Sequence, residues 1–353
     1  MKFKFLLFLL SIPITFFPQT NPNSDKNFNK ILDDDNSKYT NVGNIGLTIT
    51  NFGTYGHGFS LWPDQPSCEY PLGSGIEHIF DGGLYIGGFI SNDANGSGRV
   101  GPLVTTGAVD AASVSLRGGG FEFTNEKGSR IVERSSLTDS RFFDPEAISH
   151  QDFIMDFSDT NKVFENGEVI ENHNPLGVAV HLESYAWNFP FANFFVIMNY
   201  TIKNVSNKFI DSVYVGLWTD AVVRNTKITS PRSGASFFNK GGDGFSDSLN
   251  IAYEFDATGD VGFTDSYIGI EFLGSTPSVI SVFDIDTSNA NFVSWQFRNT
   301  DDPNFFAPQN DFDRYRKLQG YFGGNNRLGN GVNPSSLTAP SNRSILISTG
   351  DFK

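Results

Sequence analysis

The sequence predicts a mainly-β fold, a large antiparallel β-sandwich with very little helix. Three observations carry this. Turn-forming Gly, Asn, Asp and Ser punctuate the chain about every eight to twelve residues, the spacing of short strands in sandwiches and barrels. The runs between them are rich in Val, Ile, Tyr and above all Phe, of which there are 36; aromatic and β-branched side chains suit a pleated sheet. Phe194, Val196, Met198, Tyr200 and Ile202 alternate with Phe195, Ile197, Asn199, Thr201 and Lys203. That period of two puts one set on each face of a strand.

At the start of the chain, Lys2 and Lys4 precede an apolar run, Phe5 to Phe17, broken only by Ser11, Pro13 and Thr15. This is the layout of a secretory signal, and the run is shorter than the about 20 residues of a membrane helix. The alternative is a buried first helix or strand. Residues 1–20 therefore read as a signal peptide. Residues 21–40, polar and carrying Asp33-Asp34-Asp35, read as a disordered leader. Residues 41–353 read as one mainly-β domain. No later segment approaches about 18 apolar residues, so no membrane span is expected.

Strand candidates follow in order: Ile45–Asn51, Gly83–Ile90, Leu103–Thr106, Ala112–Arg117, Arg130–Arg134, Gly177–Trp187, Asn193–Lys203 and Phe209–Asp220. Then come Ile251–Phe255, Tyr267–Leu273, Ser278–Asp284 and Arg343–Ser348. His173–Asp220 reads as consecutive strands of one sheet. In it Phe194–Ile202 is central and pairs antiparallel with Phe209–Thr219 across the turn Asn204–Lys208. Helix is expected at Asp311–Gln319, with Asp311 as N-cap and Gly320 as stop, and as a short turn at Asp144–Ala147. Asn325–Ser341 reads as loop. The chain stops at Lys353 just after a strand and a turn, as the front part of a longer protein would.

Composition narrows the function classes. Cys68 is alone, which excludes an intramolecular disulfide and a multi-cysteine zinc site. Roughly 330 residues remain after the signal, enough to bury a core without such staples. The formal charge of -14 opposes binding to nucleic acid or anionic lipid. Asn95–Gly101 matches GxGxxG, but Pro102 and a β-like Leu-Val-Thr-Thr follow where a dinucleotide site needs a helix, so a glycine turn is expected. Neither a GxSxG elbow nor an HExxH helix occurs. His57, His78, His150, His173 and His181 show no metal-ligand spacing and read as turn or surface residues.

Several segments carry a resemblance. NVGNIGLTITNFGTYGHG (41–58), FDGGLYIGG (80–88), RIVERSSLTDSRFF (130–143), HNPLGVAVHLESYAW (173–187) and FVIMNYTIKNVSNKFIDSVYVGLWTD (195–220) resemble a group of large secreted bacterial proteins. Many of those end in a type IX secretion sorting domain. The resemblance implies export and a place at the cell surface. The sorting domain itself is absent from these residues. Such proteins often carry Asp-x-Asp after the Val-Gly-x-Trp strand; this chain has Asp220-Ala221-Val222, so the resemblance does not imply a metal site on that pair.

Two candidate sites remain. Asp243, Asp247, Asp256 and Asp260 cluster in a glycine-rich stretch and could hold calcium, which takes six to eight oxygen ligands, with Asp220 joining from a neighbouring strand end. The competing reading is that Asp and Gly simply make turns. Trp187, with Glu183 and Tyr185 nearby, could form a ring platform beside a carboxylate for an extracellular glycan. Core packing is the competing reading for Trp187, as for Trp218 and Trp295. The function expected is a secreted or cell-surface, non-catalytic module with a structural or binding role. The alternative is a carbohydrate-active enzyme on a β-sandwich, using two carboxylates such as Glu183 and Asp220, or a glycan-binding module on the same fold.

Overall fold

The structure is a computed structural model. It describes the backbone of residues 5–12, and residues 37–57, 64–111, 120–125, 129–163, 167–229, 238–260, 264–276, 290–297 and 302–352. Strand makes up 49% of the chain and helix 5%, so the fold is mainly β. The expected strands at Ala112–Arg117 and Ser278–Asp284, and most of the expected leader, lie outside the described residues.

The first seven strands are β1 (Phe5–Ile12), β2 (Ser37–Tyr39), β3 (Gly46–Thr50), β4 (Thr54–Gly56), β5 (Cys68–Glu69), β6 (Ile76–Ser91) and β7 (Val100–Thr106). Next come β8 (Thr124–Asn125), β9 (Val132–Arg134), β10 (Gln151–Ser158), β11 (Val178–Ala186), β12 (Phe195–Asn204) and β13 (Phe209–Asn225). The rest are β14 (Gly241–Ser246), β15 (Ile251–Asp256), β16 (Tyr267–Ser275), β17 (Asn291–Gln296) and β18 (Arg343–Phe352). They form two sheets. One runs β14-β15-β16-β1-β12-β11-β10-β8, with β9 also on β10; the other runs β17-β18-β13-β6-β4-β3-β2, with β5 and β7 on its flanks.

The period-two reading of β12 holds: Val196, Met198, Tyr200 and Ile202 are buried, while Phe195, Ile197, Asn199 and Thr201 are partly exposed. The expected partner does not. β12 pairs antiparallel with β11, whereas β13 crosses to the other sheet and pairs with β6 and β18. The turn explains the crossing. Val205 and Ser206 donate their N–H groups to Gly177 O, and Lys208 Nζ reaches Asn92 Oδ1 at 2.6 Å. The turn is thus tied to both sheets and does not close a hairpin. Buried residues of β12 and β13 then share one core, a solution that covers apolar faces on both sheets.

β13 is buried on both faces from Val215 to Val223, so its second face needs a cover. A helix over Asp311–Leu318 supplies it. Asn310, not Asp311, caps this helix, its side chain accepting from Asp313 N, and Gly320 at φ +87° follows its end. Beneath it Trp218 and Trp295 stack at 6.2 Å, both fully buried as core packing requires. Lys317 lies 5.0 Å from the Trp295 ring and donates to Phe322 O, and burial lowers its pKa to about 7. Gly82 and Gly83 in β6 leave no room for a side chain. A Cβ on Gly82 would lie 2.4 Å from the Tyr55 ring, and one on Gly83 2.5 Å from Gly107 C. A second, short helix, Pro334–Leu337, interrupts the expected loop 325–341, and Asp144–Ala147 is a turn rather than helix.

The apolar run near the N-terminus forms β1. It pairs parallel with β12, Leu7 opposite Phe195, and parallel with β16, Phe5 opposite Tyr267. Export with cleavage would remove this strand and leave the facing edges of β12 and β16 without their shared neighbour. N-terminal sequencing of the exported protein is expected to begin between about Thr15 and Asn23. A folded, exported chain that still starts before Phe5 would instead make β1 a permanent strand.

Candidate functional site

β10, β11 and β12 lie side by side, and alternation decides which of their side chains face solvent. Val178, Val180 and Leu182 turn into the core. His181 and Glu183, both half-buried, fall on the other face together with Tyr185, which is buried there. On that face His181 stands opposite Asp156 and Thr201, and Glu183 opposite Ile154 and Asn199. A hydrogen-bonded strip results. His181 Nδ1 and Asp156 Oδ1 are 2.8 Å apart, and His181 Nε2 is 3.9 Å from Glu183 Oε1. Tyr185 OH donates to Glu183 Oε2 at 2.8 Å, and Asn199 Nδ2 donates to the same oxygen at 3.2 Å. The hydrogen bond to Asp156, with the charges of Asp156 and Glu183, raises the His181 pKa against the effect of partial burial.

Trp187 continues the strip beyond the end of β11. Its half-buried ring is 6.3 Å from Tyr185 and 6.0 Å from Phe195. Trp187 therefore departs from Trp218 and Trp295: it sits on the outer face, not in the core. The structure brings Trp187, Tyr185 and Glu183 onto one face, and adds His181, Asp156 and Asn199. His181 continues the alternation of Glu183, Tyr185 and Trp187, so the sequence carried a signal for it. Asp156 was missed because β10 was not among the expected strands.

Glu183 and Asp220 do not come together. Glu183 faces outward on one sheet, while Asp220 is 2% exposed on β13 of the other, beside Asp81. Burial, then the charge of Asp81, drives the Asp220 pKa well up. A glycosidase needs its two carboxyl groups about 5–9.5 Å apart across a cleft.

The four aspartates also separate. Asp243 is buried in mid-β14, opposite Glu254 of β15. Its carboxylate takes a short hydrogen bond from Ser294 Oγ. Asp247 is exposed just past Ser246, whereas Asp256 pairs with Gly241. That separates Asp247 and Asp256 by roughly 20 Å along the hairpin. Asp256 Oδ1 accepts from Thr258 N and Oγ1, the turn role weighed against calcium, and Asp260 pairs with Lys240. Among the described residues no three His, Cys, Asp or Glu side chains are grouped to hold a metal ion.

Three histidines expected at turns or the surface are buried: His57, His78 and His173. Each anchors a loop or strand, His57 Nε2 to Gln65 O, His78 Nε2 to Ser266 Oγ and His173 Nε2 to Asp159 O, all at 2.7 Å. Burial lowers the pKa of all three, that of His78 to about 4.

Comparison of the chain with protein-family models, with curated proteins and with solved structures finds no match.

Proposed function

We propose that this chain is a secreted or cell-surface, non-catalytic β-sandwich module that binds an extracellular glycan on the outer face of β10–β12. One observation carries the reading: the Trp187 ring edges a strip in which Glu183, His181 and Asn199 offer acceptors and donors. Sugar recognition pairs an aromatic ring with hydrogen bonds to hydroxyl groups, and Trp supplies the larger apolar area. The strip lies on an open sheet face, where water has access, which favours binding over chemistry that excludes water. Export is supported by the charge and apolar order of residues 1–17, and type IX secretion by the resemblance alone. No helix among the described residues is long and apolar enough to cross a membrane.

The test is a glycan array followed by titration calorimetry on the best neutral oligosaccharide. Trp187→Ala and Glu183→Gln are each expected to weaken binding at least tenfold, or about 1.4 kcal/mol. Melting temperatures should change little, because both side chains lie outside the core. Unchanged affinity in both variants, or no retained glycan, would reject the reading.

A further inference from the structure

A second polar site borders the Trp187 end of the strip, where Asn188 N donates to His150. A cleft of about 480 Å³ opens between β2 and the segment that follows β9, and Lys38, Tyr39, Glu133, Arg141, Phe142 and His150 line it. Its volume falls in the usual range of small-molecule clefts, about 300–1,000 Å³.

The charges in it are not balanced. Lys38 Nζ is 2.8 Å from Glu133 Oε2, so these two offset each other. Gln151 Nε2 donates to the other Glu133 oxygen at 3.0 Å. Arg141 has no carboxylate partner among the described residues. Its guanidinium lies 4.5 Å from the centre of the Phe142 ring, a cation–π contact that restrains it while leaving its N–H donors uncommitted. His150 Nδ1 accepts from Asn188 N at 3.1 Å. A neutral ring that accepts at Nδ1 carries its proton on Nε2, which is then a donor. The Tyr39 hydroxyl makes no hydrogen bond among the described residues. One free cation and two neutral donors thus line one cleft, on a chain whose formal charge is -14.

We infer that this cleft binds an acidic saccharide, a uronate-type unit whose carboxylate pairs with Arg141 and whose ring hydroxyls meet Tyr39 and His150. Arg is the side chain best matched to a carboxylate, because its planar fork offers two parallel N–H donors. The remaining lining is rich in hydroxyl and amide groups, among them Ser37, Gln65 and Ser140, which suits hydroxyl-bearing rings. An acidic peptide is disfavoured. Peptides add to sheet edges through a run of main-chain bonds, and β2, the edge strand here, has three residues. The choice of a saccharide rests on the glycan-binding reading of the chain; the cleft and its unpaired cation do not.

The experiment is calorimetric titration of the full chain with oligogalacturonate and with the same oligomer methyl-esterified. The wild type is expected to bind the acid form, more weakly as salt rises, and to discriminate against the ester at least tenfold. Arg141→Gln should remove that discrimination. No binding of the acid form at millimolar concentration, or equal binding by Arg141→Gln, overturns the inference. Tighter, Arg141-dependent binding of an aspartate-rich peptide overturns the saccharide assignment. Failure of the glycan-binding reading is seen separately, as neutral-glycan binding indifferent to Trp187→Ala and Glu183→Gln.

Discussion

Replacing Asp110 by Ala is expected to lower stability by about 3–5 kcal/mol, the cost of stranding a buried charge. Arg314 is 2% exposed and Asp110 0%. Arg314 Nε reaches Asp110 Oδ2 at 2.6 Å, and Nη2 reaches Oδ1 at 3.1 Å. Tyr85 OH donates to the same Oδ2 at 2.6 Å, and the Trp295 indole donates to Asp110 O at 2.9 Å. The carboxylate therefore ties the helix Asp311–Leu318 to β6, while the main-chain carbonyl of the same residue ties the loop after β7 to β17. Without the carboxylate the guanidinium keeps only Asp311 Oδ1, 3.7 Å from Nη1, and the Tyr85 hydroxyl loses its acceptor. The double variant Asp110→Ala/Arg314→Met should lose less than Asp110→Ala alone, because the unpaired charge goes too. Urea unfolding at fixed pH reads both. A loss below about 1 kcal/mol for the single variant would show that water or another acceptor reaches Arg314.

Folding stability is expected to fall as pH rises from about 5 to 8. Burial raises the carboxyl groups of Asp81 and Asp243 to about 7 and that of Glu122 to about 8. It drives Asp220 and Glu254 well above their ordinary values, with neighbouring carboxylates adding to the effect. A carboxyl group with a raised folded pKa stays protonated in the fold while the unfolded chain releases its proton. Its contribution is therefore full below the unfolded pKa, near 4, and is lost as pH climbs through the folded pKa. Each such group gives a slope of about 1.4 kcal/mol per pH unit within that window. His57, His78 and His173 act in the opposite sense below about pH 6.5, where the unfolded imidazoles take up protons that the folded ones refuse. Lys317 opposes only above about pH 7. The carboxyl groups alone thus set the slope between pH 6.5 and 7, and above pH 7 Glu122, Asp220 and Glu254 outnumber Lys317.

Asp243→Asn separates the contributions. Asn can still accept from Ser294, and it carries no charge to desolvate. It should be close to neutral at pH 5 and stabilising by on the order of 1–3 kcal/mol at pH 8. Thermal melts across that range measure it. A wild type as stable at pH 8 as at pH 5, or a variant weaker at pH 8, would show that the Asp243 carboxylate is ionised and satisfied in the fold.

Periodicity made much of the sheet legible, because a strand's alternation is a local property. β12 shows it: Val196, Met198, Tyr200 and Ile202 read as a core face and are one. Strands without that contrast were not legible. β14, Gly-Gly-Asp-Gly-Phe-Ser, looks like a turn and becomes a strand through pairing with β15. β10 breaks alternation because Asp152, on its outer face, is buried as the acceptor of Ser149 N and Oγ and of Ile148 N. The outer strip was half legible. Glu183, Tyr185 and Trp187 share a parity, but Asp156 and Asn199 reach them only by cross-strand register.

The sequence by itself determined the mainly-β class, the two faces of β12 and the helix beginning at Asp311, and it left Trp187, Trp218 and Trp295 open between core and platform. Each feature it determined follows from spacing or side-chain type within about ten residues. Tertiary structure alone decided that β12 and β13 belong to different sheets, since the Asn204–Lys208 turn is tied to Gly177 and Asn92, far away in sequence. It alone drew Asp243 into the core while leaving Asp247, Asp256 and Asp260 at the hairpin ends. It alone left Arg141 unpaired while Lys38 and Glu133 satisfied each other. Pairing, burial and charge balance depend on which distant segments meet, and no local pattern records that.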